Sequence, residues 1–195
     1  MLHLPKTNFH KSEENPVSKV FWGRVNLTAA TSMYFYRKGG KVQQLIHHLK
    51  YKGHKEIGVF LGEMYGKQLI ESPLYTDIDL IIPIPLHKSK LKKRGFNQAE
   101  LFASGLASSM QKEMDVKSLV RQVATSTQTK KTRYKRWENV SEIFKLEIPE
   151  NIQGKKILVV DDVITTGATM EAFIQSIQKA NDVKVCAVSI AFASQ

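Results

Sequence analysis

Apolar residues recur along this chain in two rhythms. Val42, Leu45, Ile46 and Leu49 fall at i, i+3, i+4 and i+7, which predicts a helix with one buried stripe. Ile57, Phe60, Leu61, Met64 and Leu69 carry the same spacing into a second helix. Ala99, Phe102, Ala103 and Leu106 mark another helical face within 97–112, and Met170, Phe173, Ile174 and Ile177 mark one more. Between these lie strand-like runs. Thr31 to Tyr36 alternates aromatic with polar residues and ends at the turn Arg37-Lys38-Gly39-Gly40. Leu80-Ile81-Ile82 is short and closed by Pro83 and Pro85. Ile157-Leu158-Val159-Val160 is continuously apolar, as a parallel strand buried on both faces requires. Val183 to Phe192 supplies a last strand around Val185, Ala187, Val188 and Ile190. Strands alternating with helices predict an α/β fold with a largely parallel central sheet flanked by helices. Residues 1–28, with Pro5 and Pro16, have little period and form either a linker or an arm packed on a domain at 29–195. Residues 121–138 are polar, basic and aperiodic, a long loop that is either functional or a connector.

Composition narrows the class. A chain of 195 residues, 42% apolar and 24% charged, suits one sizeable globular domain. No run nears the roughly 18 apolar residues of a membrane span, and the first twenty residues lack a signal-peptide core, so a cytoplasmic protein without membrane insertion is expected. The single cysteine, Cys186, excludes an internal disulfide and sits in an apolar strand as a core residue. The six histidines show no metal-ligand spacing; His47 and His48 are adjacent and point to different sides of their helix. Gly62 to Lys67 has a vague likeness to a nucleotide-binding loop, but its spacing is one short and Gln68 stands where Ser or Thr is needed. Trp22 and the trio Tyr34, Phe35 and Tyr36 read as core in preference to base-stacking platforms.

Charge points to a partner. The net charge is +11, and segments 37–55, 88–94 and 121–136 hold 6, 5 and 6 basic residues with no acid among them. Such clusters are either solvated faces or the footprint of a polyanion, a phosphate-bearing small molecule or nucleic acid.

The chemistry concentrates in Ile157-Leu158-Val159-Val160-Asp161-Asp162-Val163-Ile164-Thr165-Thr166-Gly167-Ala168-Thr169. A buried strand runs into two adjacent carboxylates, then a hydroxyl- and glycine-rich turn, then a helix. Ligands of open α/β sheets bind at the carboxyl ends of strands. A helix N-terminus offers unpaired N–H groups and partial positive charge to a phosphate. Gly167 permits close backbone approach, Thr165, Thr166 and Thr169 add hydroxyl donors, and the carboxylates suit the vicinal hydroxyls of a ribose. The turn suits a sugar phosphate; the plainer alternative is a strand end followed by a Thr-rich helix cap.

These thirteen residues resemble the phosphoribosyl-pyrophosphate (PRPP) motif of type I phosphoribosyltransferases. That resemblance implies the type I phosphoribosyltransferase fold, with a small N-terminal hood and a flexible loop. Asp161 and Asp162 would meet the ribose hydroxyls, and Thr165, Thr166, Gly167, Ala168 and Thr169 would cradle the 5′-phosphate. Pro83-Ile84-Pro85-Leu86-His87-Lys88 followed by Lys92-Lys93-Arg94-Gly95-Phe96-Asn97-Gln98-Ala99 is similar to the signature of the ComF family of competence-associated proteins. So are Leu49-Lys50-Tyr51-Lys52-Gly53, Asn15-Pro16, Phe21-Trp22-Gly23-Arg24 and the loop with Arg121, Thr125, Gln128, Thr129, Arg136 and Asn139.

The family reading assigns pyrophosphate to Leu86, His87 and Lys88, catalytic roles to Asp161, Asp162, Arg94 and Lys88, and a flexible cover to the loop of Arg121, Thr125, Gln128, Thr129 and Arg136. By their own chemistry, residues 83–98 are either a basic turn fit for pyrophosphate or a solvent-exposed loop, and Arg94 to Asn97 could equally begin a helix. Mg²⁺ is implied with PRPP, held mainly by the ligand with no protein metal ligand assigned. The cysteine-rich zinc segment common in that family is absent here, so no zinc is expected. The implied activity is Mg²⁺-dependent transfer of a 5-phosphoribosyl group to a nitrogenous acceptor. The alternative is a competence accessory that binds single-stranded DNA, with oligomer formation left open.

Overall fold

The structure, a computed structural model, describes residues 4–122 and 143–193. Its strands are β1 (Ala29–Phe35), β2 (Leu80–Pro83), β3 (Glu113–Met114), β4 (Leu119–Arg121), β5 (Phe144–Leu146), β6 (Lys156–Ile164) and β7 (Lys184–Phe192). Its helices are α1 (Pro16–Lys19), α2 (Lys41–Tyr51), α3 (Lys55–Leu69), α4 (Lys88–Arg94), α5 (Gln98–Met110) and α6 (Ala168–Ile177). Five strands form one sheet in the order β1-β7-β6-β2-β3, every neighbour parallel, while β4 and β5 make a small antiparallel pair. This is the α/β, largely parallel sheet flanked by helices that the apolar rhythms predict.

Side-chain alternation divides β6 between two cores. Leu158 and Val160 face α2, α3 and α5, against Leu49, Tyr65, Phe102 and Leu106. Ile157 and Val159 face α6 and the arm, against Phe173, Ile177, Val17 and Phe21. All four β6 residues are fully buried, which accounts for the unbroken apolar run. Residues 5–7 run antiparallel along β1, with Phe35 N–H donating to Pro5 O at 2.9 Å and Thr7 N–H to Met33 O at 3.1 Å, so that sheet edge is covered. Asn15 caps α1 through the N–H groups of Val17 and Ser18 and also donates to Ala30 O at 2.8 Å. The early segment is thus tied to the sheet.

Two expectations need correction. Phe60 does not join the buried stripe of its helix and is 60% exposed. The inward face of α3 is instead Gly58, Leu61, Gly62, Tyr65, Gly66 and Leu69. Glycines at every fourth position let α5 approach backbone to backbone: a Cβ on Gly62 would lie 2.2 Å from Phe102 O, and one on Gly105 would lie 2.0 Å from Val59 O. Trp22, expected in the core, is 57% exposed with the Lys19 ammonium 5.3 Å from its ring centre. Phe21 takes the buried position beside it.

Alanine normally favours a helix by about 1 kcal/mol over glycine. At Gly62 the contact is with backbone, so the helices must separate, and overpacking of that kind costs about 1–3 kcal/mol. Gly62→Ala is therefore expected to lower the urea midpoint of unfolding; an unchanged or raised midpoint would contradict this packing.

Candidate functional site

The site begins where β6 loses one neighbour and keeps the other. β2 pairs with β6 from Leu80↔Ile157 to Pro83↔Val160, and the last bond is Ile84 N–H to Val160 O at 2.9 Å. Pro83 and Pro85 supply no N–H and hold φ near about −65°, which turns the chain out of the ladder. β7 continues alongside β6 through Asp161↔Ser189, Val163↔Ala191 and Ile164↔Phe192. The strand therefore extends past both carboxylates to Ile164, beyond the two acids at which the sequence predicts its end, because one partner still satisfies its backbone. On its other edge, among the described residues, β6 has no ladder partner past Val160, and its carboxyl end is open there.

Asp161 and Asp162 are half-buried at that open edge. Asp161 Oδ1 accepts the N–H of Asp162 at 2.7 Å. Lys50, in the last turn of α2, reaches Asp162 Oδ2 at 2.7 Å. Burial, and then the charge of Asp162, push the Asp161 carboxyl up to about 7, with Lys50 and Arg121 pulling the other way. Arg121, at the end of β4, has its guanidinium 5.2 Å from the Phe144 ring centre, and burial lowers its pKa.

Beyond β6, Thr165 and Thr166 are exposed in the turn, Gly167 caps α6, and Ala168 and Thr169 open that helix. Asp161 and residues 163–170 line a small cavity of about 40 Å³. Gly167 has φ +74, in the left-handed region, and a Cβ there would lie 2.7 Å from Val20 Cγ1 and 2.9 Å from Phe21 Cε1. The early segment packs directly on the turn. Arg24 fastens it: Nη1 donates to Thr166 O at 2.8 Å and to Val20 O at 3.0 Å, and the guanidinium is salt-bridged to Glu171. Phe21 and Arg24 figure in the sequence reading only as part of a family stretch, and Lys50 likewise.

On the β2 side, Leu86, His87 and Lys88 lead into α4, a short helix where the sequence reading offered a turn or loop. It has no apolar period because none of its residues is buried. The His87 ring accepts the Ser89 N–H at 3.2 Å, and Gly95, at φ +82, ends the helix. Asn97, at the start of α5, accepts the Ala99 N–H at 3.1 Å and donates to Ile84 O at 3.0 Å, holding the end of β2 in place. Arg94 bonds Gln98 and lies 5.4 Å from the Tyr51 ring centre. A cavity of about 530 Å³ lies between the α2–α3 turn and α4, lined by Lys50, Tyr51, Gly53, Lys90, Lys93, Arg94 and Phe96. Thr125, Gln128, Thr129, Arg136 and Asn139 lie outside the described residues. No helix among the described residues is long and apolar enough to cross a membrane.

A parallel sheet whose central strand carries paired carboxylates near its carboxyl end, with a glycine turn leading into a helix, is an open α/β architecture with its crevice at the strand ends. Residues 96–194 match the model described as a phosphoribosyl transferase domain, and the chain belongs to that type I phosphoribosyltransferase family, in its ComF branch. DNA utilization protein YhgH of Escherichia coli O157:H7 is 33% identical over 134 residues, 67% of this chain and 58% of that protein. Competence protein ComFC of Bacillus subtilis is 29% identical over 140 residues, 71% of this chain and 53% of that protein. The chain thus spans little more than half the length of these curated relatives. Adenine phosphoribosyltransferase from Leishmania tarentolae aligns over 97% of this chain and 94% of its own, at 9% identity and a TM-score of 0.46.

The Asp161 carboxyl ionises far above the ordinary 3.8, so the folded state holds its proton more tightly than the unfolded chain does. Its contribution to stability is full below about pH 4 and is lost as pH rises through about 7. Asp161→Asn should therefore gain on the wild type across that window, with nearly equal urea midpoints at about pH 4 and a clear advantage at about pH 8. Parallel midpoints at both pH values would contradict the assigned environment.

Proposed function

We propose that the protein binds PRPP at the carboxyl end of β6 and transfers its 5-phosphoribosyl group to a nitrogenous acceptor. One observation carries this reading: the open edge of β6 puts the Asp161–Asp162 pair directly before a left-handed glycine at a helix N-terminus. A phosphate would take the N–H groups of the turn 165–169 together with the partial positive charge of α6. The carboxylates would accept hydrogen bonds from the ribose 2′- and 3′-hydroxyls. The anomeric carbon would then lie toward Leu86, His87 and Lys88, whose backbone and charge would meet the diphosphate.

In the transfer, the bond from the anomeric carbon to the diphosphate oxygen breaks and a bond to the acceptor nitrogen forms. Diphosphate leaves with the bonding pair, and the acceptor nitrogen gives up its proton to solvent. The protein's part is alignment and stabilisation of charge on the departing oxygens, for which Lys88 and Arg94 are the nearest candidates in sequence. Mg²⁺ supplies neutralisation of the diphosphate when bound. The residues fit a ligand that arrives with its own cation. Burial and the charge of Asp162 raise the Asp161 pKa, and Lys50 already pairs with Asp162, so neither carboxylate is a free anionic ligand.

A second reading has its own support. The rings of Trp22 and Tyr51 are exposed beside Lys19 and Arg94, and relatives carry the names DNA utilization protein and competence protein. Exposed rings among cations are the means by which single strands bind without sequence preference. The two readings part in calorimetry. If PRPP with Mg²⁺ is the ligand, the wild type gives saturable heat and Asp161→Asn/Asp162→Asn binds at least tenfold more weakly. Absence of heat in the wild type, together with salt-sensitive binding of an oligothymidylate, would favour the strand-binding reading.

A further inference from the structure

The cavity beside Tyr51, of whose lining only Arg94 has a proposed part with the diphosphate, is larger than the cavity at the turn 163–170. Its volume of about 530 Å³ falls within the roughly 300–1,000 Å³ of small-molecule pockets. Four of its seven lining residues are cations, Lys50, Lys90, Lys93 and Arg94, and none is an acid. In α4, Lys90, Lys93 and Arg94 sit at i, i+3 and i+4, so one face of a short helix presents all three. Lys90 and Lys93 form no salt bridge among the described residues. The remaining lining residues are Gly53 and two aromatics, Tyr51 and Phe96. The Tyr51 ring is 65% exposed under the Arg94 guanidinium, and Phe96 lies 5.2 Å from the Lys55 ammonium.

We propose that this cavity selects an acceptor that is a planar ring bearing its own carboxylate. The inference rests on the transferase reading and narrows it to a substrate class. A flat ring matches the Tyr51 and Phe96 walls, while a neutral ring would leave the cations facing one another across the cavity. A carboxylate gives Lys90 and Lys93 the counter-charge they lack. The cations converge on one bounded cavity and do not form a stripe, which favours a small anion over a nucleic-acid strand.

Lys50 joins this cavity to the carboxylate pair. It lines the cavity and is salt-bridged to Asp162. An anion drawn toward Lys50 loosens its hold on Asp162 and frees that carboxylate for the sugar diol. Occupancy of the cavity and of the sugar site therefore favour each other, and by linkage the effect is equal in both directions.

Pyridine-3-carboxylate and pyridine-3-carboxamide share a ring and differ in charge, so calorimetric titration of the pair isolates the acid group. The wild type is expected to bind the carboxylate at least tenfold more tightly than the amide, and PRPP with Mg²⁺ is expected to tighten the carboxylate further. Lys90→Ala/Lys93→Ala should bring the ratio close to one, with the unfolding midpoint unchanged because both side chains are exposed. Tyr51→Leu should weaken both probes alike. Equal binding of the two probes, no binding of the carboxylate at millimolar concentration, or a ratio that survives the double substitution would overturn the inference. So would an oligothymidylate whose affinity alone falls in the double variant, since that identifies a strand groove. PRPP is titrated separately: its failure to bind counts against the transferase reading, whereas loss of the carboxylate preference counts against this inference alone.

Discussion

In the sheet, β6 outlasts β2. Up to Val160 the strand is paired on both edges and buried on both faces, as a core strand must be. Past that point β7 alone satisfies its backbone, and the freed edge is where Asp161 and Asp162 stand. Two carboxylates could not sit inside a fully paired, fully apolar sheet without a heavy desolvation cost. They could not be held in place on a loop with no ladder either. Half a ladder provides both conditions, and burial beside the charge of Asp162 raises the pKa of Asp161 there. Everything assigned to the site follows from this mismatch in strand length. The turn carrying Thr165 to Thr169 begins where β7 stops supporting β6, and Asn97 fixes the opposing end of β2 through Ile84.

The surroundings hold that arrangement from two directions. On one face, glycines in α3 and α5 bring the two helices close enough for backbone contact, which seats α5 and its capping Asn97 against the sheet. On the other face, Phe21 fills the space that a side chain at position 167 would take, and Arg24 ties the carbonyl of Thr166 to Glu171. The turn 165–169 is thus braced by residues that precede the first strand. From α2, Lys50 crosses to Asp162, so the segment carrying the α2–α3 turn is electrostatically coupled to the end of β6.

What the sequence made legible was what lies contiguous along it. Residues 157–169 contain strand, carboxylates, turn and helix start in one run, and their chemistry can be read without knowing the rest. Alternation of apolar rhythms was enough for a parallel α/β sheet. The failures have two causes, contact between distant segments and an element that buries nothing. Phe60 fits a helical stripe, but the face of α3 is decided by glycines whose partners lie on α5. α4 carries no apolar period because it buries nothing, so it could not be told from a basic turn. Lys50 and Arg24 look like any surface cation until the fold brings them to Asp162 and Thr166. Thr125, Gln128, Thr129 and Arg136 belong to the stretch outside the described residues, and the family signature alone speaks for them.

The proposed binding mode is spatial: a five-carbon sugar phosphate would bridge the open edge of β6 and the turn that follows it. A crystal structure of the protein soaked with PRPP and Mg²⁺ tests this most directly. The account predicts the 5′-phosphate on the N–H groups of 165–169 and the ribose diol on Asp161 and Asp162, with Lys50 displaced or shared. Ligand density elsewhere on the molecule, or an undisturbed Lys50–Asp162 pair beside an empty turn at saturating ligand, would contradict it.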